Sequence, residues 1–268
     1  MKLYYFHDPV GNFGDDLNPW IWDQLLPDFF DDDPDILFVG IGTLLNHRVP
    51  LAAKRVVFGS GVGYGLPLIK DETWDFICVR GPWSAGQLGV EPCRAVADPA
   101  IFINHLFPHS HAERYLVSFM PAGISASRGL WREVCQIADI QYIDPHDDVE
   151  KVMKQIDLTR LLISEAMHGA IAAEAFRIPW ISVYSGDHMN YNKWQDFCGS
   201  LDLIHQPYQL PTTHRGNDGQ LSFLNKSKMI IKRLLSDTGF WSSRWTKPDP
   251  RRSSDRELER AAEILFDI

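Results

Sequence analysis

The chain has 268 residues, of which 45% are hydrophobic and 23% are charged, and its formal net charge at pH 7 is -9. This composition is typical of a globular protein with a sizeable core and excludes a disordered or fibrous chain. The negative charge also argues against nucleic-acid binding, which requires clustered Lys and Arg to neutralise phosphates.

Short apolar runs alternate with amphipathic stretches of helical length, a pattern typical of parallel sheets with crossover helices. In the first half the pattern predicts strands at Lys2–Phe6, Ile36–Gly40, Arg55–Phe58 and Phe76–Val79, and helices at Pro19–Leu26 and Pro82–Leu88. In the second half it predicts strands at Tyr115–Phe119, Gln141–Ile143, Leu161–Ser164 and Trp180–Val183, and helices at Trp131–Ile137, Val149–Gln155, Ala170–Phe176 and Lys193–Leu201.

The periodicity is interrupted at residues 102–115, which we interpret as a linker. We therefore predict an α/β fold with two Rossmann-like domains, residues 1–110 and 111–235, that face each other across a cleft. A tail helix within residues 236–268 is predicted to pack back on the first domain. Open α/β sheets bind ligands beyond the carboxyl ends of their strands, so functional residues are expected in the loops that follow the strands.

The first such loop, DPVGNFGDDLNPW at residues 8–20, offers the carboxylates of Asp15 and Asp16. Asn18 before Pro19 is typical of a helix N-cap followed by proline in the first turn. The alternative is a strand-to-helix turn whose acids only complement the helix dipole.

The second loop, FGSGVGYG at residues 58–65, contains GxGxG but is followed by Leu66 and Pro67 instead of a helix. It therefore lacks the dinucleotide-binding fingerprint. Its backbone N–H groups could still form an anion-binding nest to which Ser60 adds a hydroxyl, and a close-packed turn is the alternative.

The third loop, ICVRGPWSAGQLG at residues 77–89, places Arg80 after a strand and before a predicted helix. A guanidinium beside a helix N-terminus favours an anionic ligand. The alternative is a structural arginine that pairs with a nearby aspartate such as Asp98.

The fourth motif, LLISEAMHGAIAAEAF at residues 161–176, places Ser164, Glu165 and His168 between a strand and a helix. Gly169 and the small residues after it would let a ligand approach the helix N-terminus closely. The alternative is a buried histidine that serves only the core.

The four cysteines include no CxxC pair, so the sequence indicates neither a zinc site nor a disulfide framework. Charged residues and glycine follow the first few apolar residues, so the start lacks the apolar region of a signal peptide. No stretch approaches about 18 unbroken apolar residues. We expect a cytoplasmic protein with reduced thiols and no bound metal. Peripheral membrane contact remains open.

These motifs in this order resemble the polysaccharide pyruvyl transferase family, whose small bacterial members ketalate sugars of exopolysaccharides such as succinoglycan. The matching elements are GNFGDDLNPW, GSGVG, VRGPWSAGQLG, ADPA, SEAMHGAIAAEAFRIPW and NKWQDF. Together they span most of residues 1–200.

The resemblance implies a two-domain fold similar to the GT-B glycosyltransferases and a phosphoenolpyruvate donor, with no separate cofactor. It implies transfer of the carboxyvinyl carbons to two hydroxyls of a lipid-linked sugar or oligosaccharide, forming a cyclic ketal. A lipid-linked acceptor implies work at the inner face of the membrane, where the predicted helix Ser222–Asp237 could help. A solvated surface helix is the alternative for that segment.

The resemblance also implies that a histidine and an arginine engage the donor, and these map onto His168 and Arg80. His168 is predicted to be the general acid at the donor methylene, since imidazole exchanges protons near neutral pH. Arg80 is predicted to clamp the donor anion, and Asp15 or Asp16 to handle the acceptor. Further binding candidates are Asn12, Gly14, Ser60, Gly61, Ser164, Glu165, Gly169 and Lys193.

The chain departs from the family pattern two residues before the histidine, where it has Ala166 in place of arginine. The donor phosphate must then be held by other groups, such as Arg80, the GSGVG loop, Ser164 or Lys193. Glu165 is predicted to orient His168.

Two alternatives to a pyruvyl transferase remain on the sequence. A GT-B glycosyltransferase with a nucleotide-sugar donor would share the architecture. A non-enzymatic sugar-binding module would have little need for histidine, arginine and carboxylates at strand ends.

Overall fold

The computed structural model describes residues 1–110, 112, 114–211 and 213. Its strands are β1 (Lys2–Tyr4), β2 (Ile36–Val39), β3 (Lys54–Phe58), β4 (Trp74–Cys78), β5 (Ser118–Met120), β6 (Gln141–Tyr142), β7 (Leu162–Ser164), β8 (Trp180–Tyr184) and β9 (Tyr208–Gln209). Its α-helices are α1 (Phe13–Leu25), α2 (Pro82–Leu88), α3 (Ile103–Leu106), α4 (Gly123–Arg128), α5 (Trp131–Ala138), α6 (Val149–Asp157), α7 (Met167–Ala175) and α8 (Tyr191–Ser200). The predicted α/β class is confirmed.

The described chain forms two compact units. Unit 1 contains Met1–Pro108 and Asn190–His205, and unit 2 contains His109–Met189 and the described residues from Gln206 onward. Helix α8 thus belongs to unit 1, whereas the sequence pattern put it within the second domain, residues 111–235. The predicted tail helix at 236–268 and the segment Ser222–Asp237 lie outside the described residues.

Unit 1 is built on a parallel sheet with the strand order β1-β2-β3-β4. Most residues of strands β2 and β3 are buried, as expected for a parallel sheet covered on both faces. Trp22 of α1 packs edge-on against Phe38 and Phe58, with ring centroids 4.9 Å and 5.4 Å away. Aromatic packing of this kind fixes α1 on the sheet.

Unit 2 is built on a second parallel sheet with the strand order β6-β5-β7-β8-β9. The chain runs from β5 to one neighbour, β6, and then crosses back to the other, β7, so the order reverses between β5 and β7. Such a reversal is where doubly wound sheets bind ligands, at the carboxyl ends of the strands. The Rossmann-like description of both domains and their GT-B arrangement stay predictions.

Helix α1 begins at Phe13, six residues before the predicted start at Pro19. Asn12, not Asn18, is the N-cap, and its side chain accepts a hydrogen bond from the Gly14 N–H at 3.0 Å. Pro19 lies inside the helix and cannot donate to the carbonyl of Asp15. The Asn18 side chain donates to that carbonyl instead, at 3.0 Å, which explains how the helix tolerates the proline.

Other predicted boundaries also differ from the structure, and two of them bear on the predicted site and linker. Helix α7 begins at Met167, three residues earlier than predicted, so His168 lies in its first turn and not in the preceding loop. The predicted linker at 102–115 begins with helical residues, and Ile103 is buried. No helix in the described part of the chain is long and apolar enough to cross a membrane.

Candidate functional site

Arg80 is the most deeply buried charged side chain among the predicted site residues, with no exposed surface. It follows β4 directly, and its Nε donates to Asp196 Oδ2 at 3.0 Å. Its other guanidinium nitrogens donate to Thr43 Oγ1 at 2.8 Å and to the Val62 carbonyl at 3.2 Å. The proposed pairing of Arg80 with an aspartate is therefore present, but the hydrogen-bonded carboxylate is Asp196 of α8.

Asp196 joins α8 to the start of α2. Its carboxylate accepts hydrogen bonds from the Ser84 N–H at 2.8 Å and from the Ser84 hydroxyl. A charge pair without exposed surface is stable only when its remaining hydrogen-bonding positions are filled in this way. We call Arg80, Asp196 and Ser84 the buried network of unit 1.

Two glycines allow this network to form. A Cβ atom at Gly61 would lie 2.3 Å from Cζ of Arg80, and one at Gly81 would lie 2.1 Å from the backbone oxygen of Asp196. Gly61 therefore has a packing role, and its predicted ligand contact stays a prediction. Ser60 is also engaged by the protein, because its hydroxyl donates to the Gly42 carbonyl at 3.0 Å.

The N-terminus of α1 holds the remaining predicted residues of the first loop. The Asn12 N–H donates to Asp16 Oδ2 at 2.9 Å, and the Asn12 side chain caps Gly14. These contacts are typical of the strand-to-helix turn stated as the alternative for this loop, and the binding roles of Asn12, Gly14 and Asp16 stay predictions. Asp15 is different, because its ionisation is strongly altered.

Burial raises the pKa of Asp15 to about 7, and the neighbouring carboxylates of Asp16 and Asp8 add to the rise. The positive charge of Lys193 opposes it. Lys193 lies in the first turn of α8, with its ammonium 5.8 Å from the Tyr64 ring centroid. The structure thus brings Asp15 and Lys193, both predicted from sequence, into one electrostatic environment in unit 1.

Asp98 belongs to the same environment. Burial raises its pKa to about 6, while the charges of Arg80 and Lys193 and a hydrogen bond from the Ala100 N–H lower it. Unit 1 therefore holds two carboxyl groups, Asp15 and Asp98, with pKa values close to neutrality. Carboxyl groups of this kind can exchange protons at physiological pH.

In unit 2, Ser164 ends β7 and His168 opens α7, so both lie at the carboxyl edge of the sheet. The Ser164 hydroxyl donates to the Ala166 carbonyl at 2.7 Å. A Cβ atom at Gly169 would lie 2.5 Å from Met120 Sδ and 2.8 Å from Ser164 Oγ. Glycine at 169 thus lets β5 and β7 pack against α7, and the predicted ligand contacts of Ser164 and Gly169 remain predictions.

Glu165 is the carboxylate at this edge. Its Oε1 accepts hydrogen bonds from the Ser185 N–H and hydroxyl, both at 2.7 Å, and lies 3.1 Å from His188 Nε2. Its Oε2 accepts from the Ala122 N–H at 3.1 Å. Burial favours a raised pKa for Glu165, but the hydrogen bonds from His188, Ser185, Ser125 and Ala122 outweigh it and hold the pKa below its ordinary value.

His188 was not among the residues singled out from the sequence. It follows β8 in the segment SGDHMN, so its position after a predicted strand was a usable signal. The predicted role of Glu165 in orienting His168 stays a prediction, whereas its hydrogen bond to His188 is a feature of the structure. Among the described residues, no group of three or more His, Cys, Asp or Glu could hold a metal ion.

Comparison with known proteins points to one family. A family model described as polysaccharide pyruvyl transferase matches residues 4–188. The succinoglycan biosynthesis protein ExoV of Rhizobium meliloti (strain 1021) is 42% identical over 220 residues, which are 80% of this chain and 69% of that protein. Arg80, Asp15 and His168 all lie within the residues that the family model matches.

Proposed function

The chain belongs to the polysaccharide pyruvyl transferase family, and on that premise we propose that it transfers the pyruvyl group of phosphoenolpyruvate to two hydroxyls of one sugar, as a cyclic ketal. It is a pyruvyltransferase of exopolysaccharide biosynthesis, and its acceptor is a saccharide. The likeness to a succinoglycan biosynthesis protein supports an oligosaccharide unit as the acceptor. We further propose that this unit is lipid-linked, which would bring the enzyme to the inner face of the membrane.

The proposed reaction forms two C–O bonds and one C–H bond, and it breaks the C–O bond to phosphate and the π bond of the donor. A proton adds to the methylene carbon of phosphoenolpyruvate, and a sugar oxygen attacks the neighbouring carbon. The second hydroxyl then replaces phosphate at that carbon. The two hydroxyls together lose two protons. One makes up for the proton added at the methylene carbon, and the other leaves with phosphate.

Three residues take the proton-transfer and charge-stabilising roles in this scheme. His168 donates the proton to the methylene carbon, because it lies at the strand edge where doubly wound sheets bind ligands. Asp15 accepts a proton from the attacking hydroxyl, since its pKa of about 7 suits a general base. Arg80 supplies fixed positive potential from within unit 1.

Family membership is the observation that carries this proposal. The residues of the matched range agree with this chemistry, since they include His168 at a strand edge and Asp15, whose pKa is about 7. Phosphoenolpyruvate acts here as a substrate, and side chains supply the positive charge.

The test is to incubate the full chain with phosphoenolpyruvate and candidate lipid-linked oligosaccharides, and to measure phosphate release and the ketal methyl signal by NMR. We expect both signals only when donor and acceptor are present together. His168→Ala should lower the rate about 10²- to 10⁴-fold at saturating donor. Consumption of a nucleotide sugar in place of phosphoenolpyruvate would instead identify a glycosyltransferase, and a near-wild-type rate for His168→Ala would remove the general-acid assignment.

A further inference from the structure

Three loops at the carboxyl edge of the unit 2 sheet are tied together by Glu165. Its carboxylate binds Ala122 after β5, Ser185 and His188 after β8, and Glu165 itself follows β7. The Glu165 N–H also donates to the Met120 carbonyl at 2.9 Å. This edge includes the reversal of strand order between β5 and β7, where ligands bind in doubly wound sheets.

His188 is the exposed member of this cluster. Its side chain is 25% exposed, whereas that of Glu165 is 2% exposed. Its Nε2 lies 3.1 Å from both Glu165 Oε1 and Ser125 Oγ. Its Nδ1 makes no hydrogen bond to any described residue, so the ring is held at Nε2, and Nδ1 can donate a hydrogen bond to a ligand when the ring is protonated.

The charges around the ring favour its protonated form. The hydrogen bond to Glu165 raises the pKa of His188, burial opposes that rise, and the negative charges of Glu165 and Asp187 add to it. The other two contacts in the cluster, Ser125 and Ser185, are uncharged. A protonated imidazole has an N–H on both nitrogens, so Nδ1 becomes a charged donor.

We propose that His188 binds the phosphate or carboxylate of the donor in unit 2 and supplies the positive charge that the family pattern expects from an arginine at position 166. Glu165 precedes Ala166 in the chain and hydrogen-bonds His188, so the imidazole belongs to the same sheet edge as the position where that arginine is missing. Glu165 acts as the positioning residue, since it holds the ring by a hydrogen bond and favours its charged form. The inference rests on the proposed function, because it takes phosphoenolpyruvate as the donor.

The test compares KM and kcat for phosphoenolpyruvate in the wild type, His188→Gln and His188→Lys. His188→Gln keeps a polar side chain without the charge and should raise the donor KM about 10- to 100-fold, with a smaller change in kcat. His188→Lys should recover much of the donor affinity, because it restores a cation. A purely structural role for His188 predicts no recovery by lysine and a loss in kcat or in thermal stability instead.

The pH profile gives an independent readout. In the wild type the donor KM should rise as pH increases through the pKa of His188, because the imidazole loses its charge. His188→Gln should lose that dependence, and titration calorimetry with phosphoenolpyruvate should report the same change in affinity. A pH dependence that is identical in the wild type and His188→Gln would overturn the proposal.

His109 provides a matched control. Its Nδ1 lies 3.0 Å from Asp157, a histidine–carboxylate pair of nearly the same length, but Asp157 ends α6 before β7 begins, at the amino ends of the strands. His109→Gln should leave the donor KM unchanged. If the wild type neither binds nor consumes phosphoenolpyruvate, the proposed function fails, and if it does so with a KM that His188→Gln leaves unaltered, only the present inference fails.

Discussion

At the scale of single residues, burial gives Asp15 an acid–base property that an exposed aspartate does not have. Its pKa of about 7 arises because the ionised form loses contact with water and lies near Asp16 and Asp8. Lys193 limits the rise but does not cancel it. The same aspartate can therefore accept a proton at neutral pH and release it again without a large free-energy cost.

We predict that replacing Asp15 by asparagine makes the protein relatively more stable as pH rises from 4 to 7. The folded state raises the pKa of Asp15, so its stabilising contribution is complete below about pH 4 and is lost as pH increases through about 7. A shift of about three pKa units corresponds to at most about 4 kcal/mol between the wild type and Asp15→Asn. Urea unfolding at pH 4, 5.5 and 7 measures this difference, and a pH-independent gap would mean that the Asp15 pKa is close to its ordinary value.

The carboxylate that pairs with Arg80 could not be predicted from the neighbouring sequence. The sequence offered Asp98, which is close in the chain, whereas the hydrogen-bonded carboxylate is Asp196, 116 residues away. Asp98 nevertheless lies near enough for Arg80 to lower its pKa. A salt bridge across such a separation depends on which helix packs on which sheet, and no local pattern encodes that.

At the scale of elements, short polar contacts decide where the helices begin. Asn12 caps α1 seven residues before the proline that suggested a start, and the Asn18 side chain compensates for the missing proline N–H. Helix α2 begins with proline, as the GPW motif suggested, and it is followed by a C-cap residue, Gly89, in the left-handed conformation. The start of α2, which has one strong local signal, was therefore predicted correctly. The start of α1 was not, because both Asn12 and Asn18 could serve as its N-cap.

Two glycines of the α2 region should respond in opposite directions to alanine. Gly81→Ala would place a Cβ atom 2.1 Å from the backbone of Asp196 and should destabilise the protein by about 1–3 kcal/mol. Gly86→Ala, within the helix and with nothing within 4 Å of its Cβ, should stabilise it by about 0.5–1 kcal/mol. Chemical denaturation of both variants tests the packing of α2 on α8, which would be refuted by equal effects of the two substitutions.

At the scale of the whole molecule, the two units are not consecutive stretches of the chain. Unit 1 contains the first 108 residues and also Asn190–His205, which follow most of unit 2 in the sequence. Helix α8 is held in unit 1 through Asp196, and it contributes Lys193 to the surroundings of Asp15. The candidate groups of unit 1 therefore depend on a segment that is distant in sequence.

We predict that Asp196→Asn weakens unit 1 selectively. Removing one partner of a buried ion pair leaves the other charge uncompensated and costs about 3–5 kcal/mol. Hydrogen exchange measured by mass spectrometry should increase in α2, in α8 and in β1 to β4, while β5 to β8 keep their protection. Asp75→Asn is the control, since its pair with Lys54 is 41% and 53% exposed and should contribute less than about 1 kcal/mol. Equal loss of protection in both units would contradict the assignment of α8 to unit 1.

The sequence by itself determined the α/β class, most of the strands and the segments after the strands in which His168, Arg80 and Asp15 lie. It could do so because apolar runs, glycine and proline act over a few residues, and because the ordered motifs identify the family. Only the tertiary structure decided that Arg80 pairs with Asp196, that Asp15 has a pKa of about 7, and that Glu165 holds His188. These properties arise from burial and from contacts between segments that are distant in the sequence. Local sequence patterns do not predict such packing.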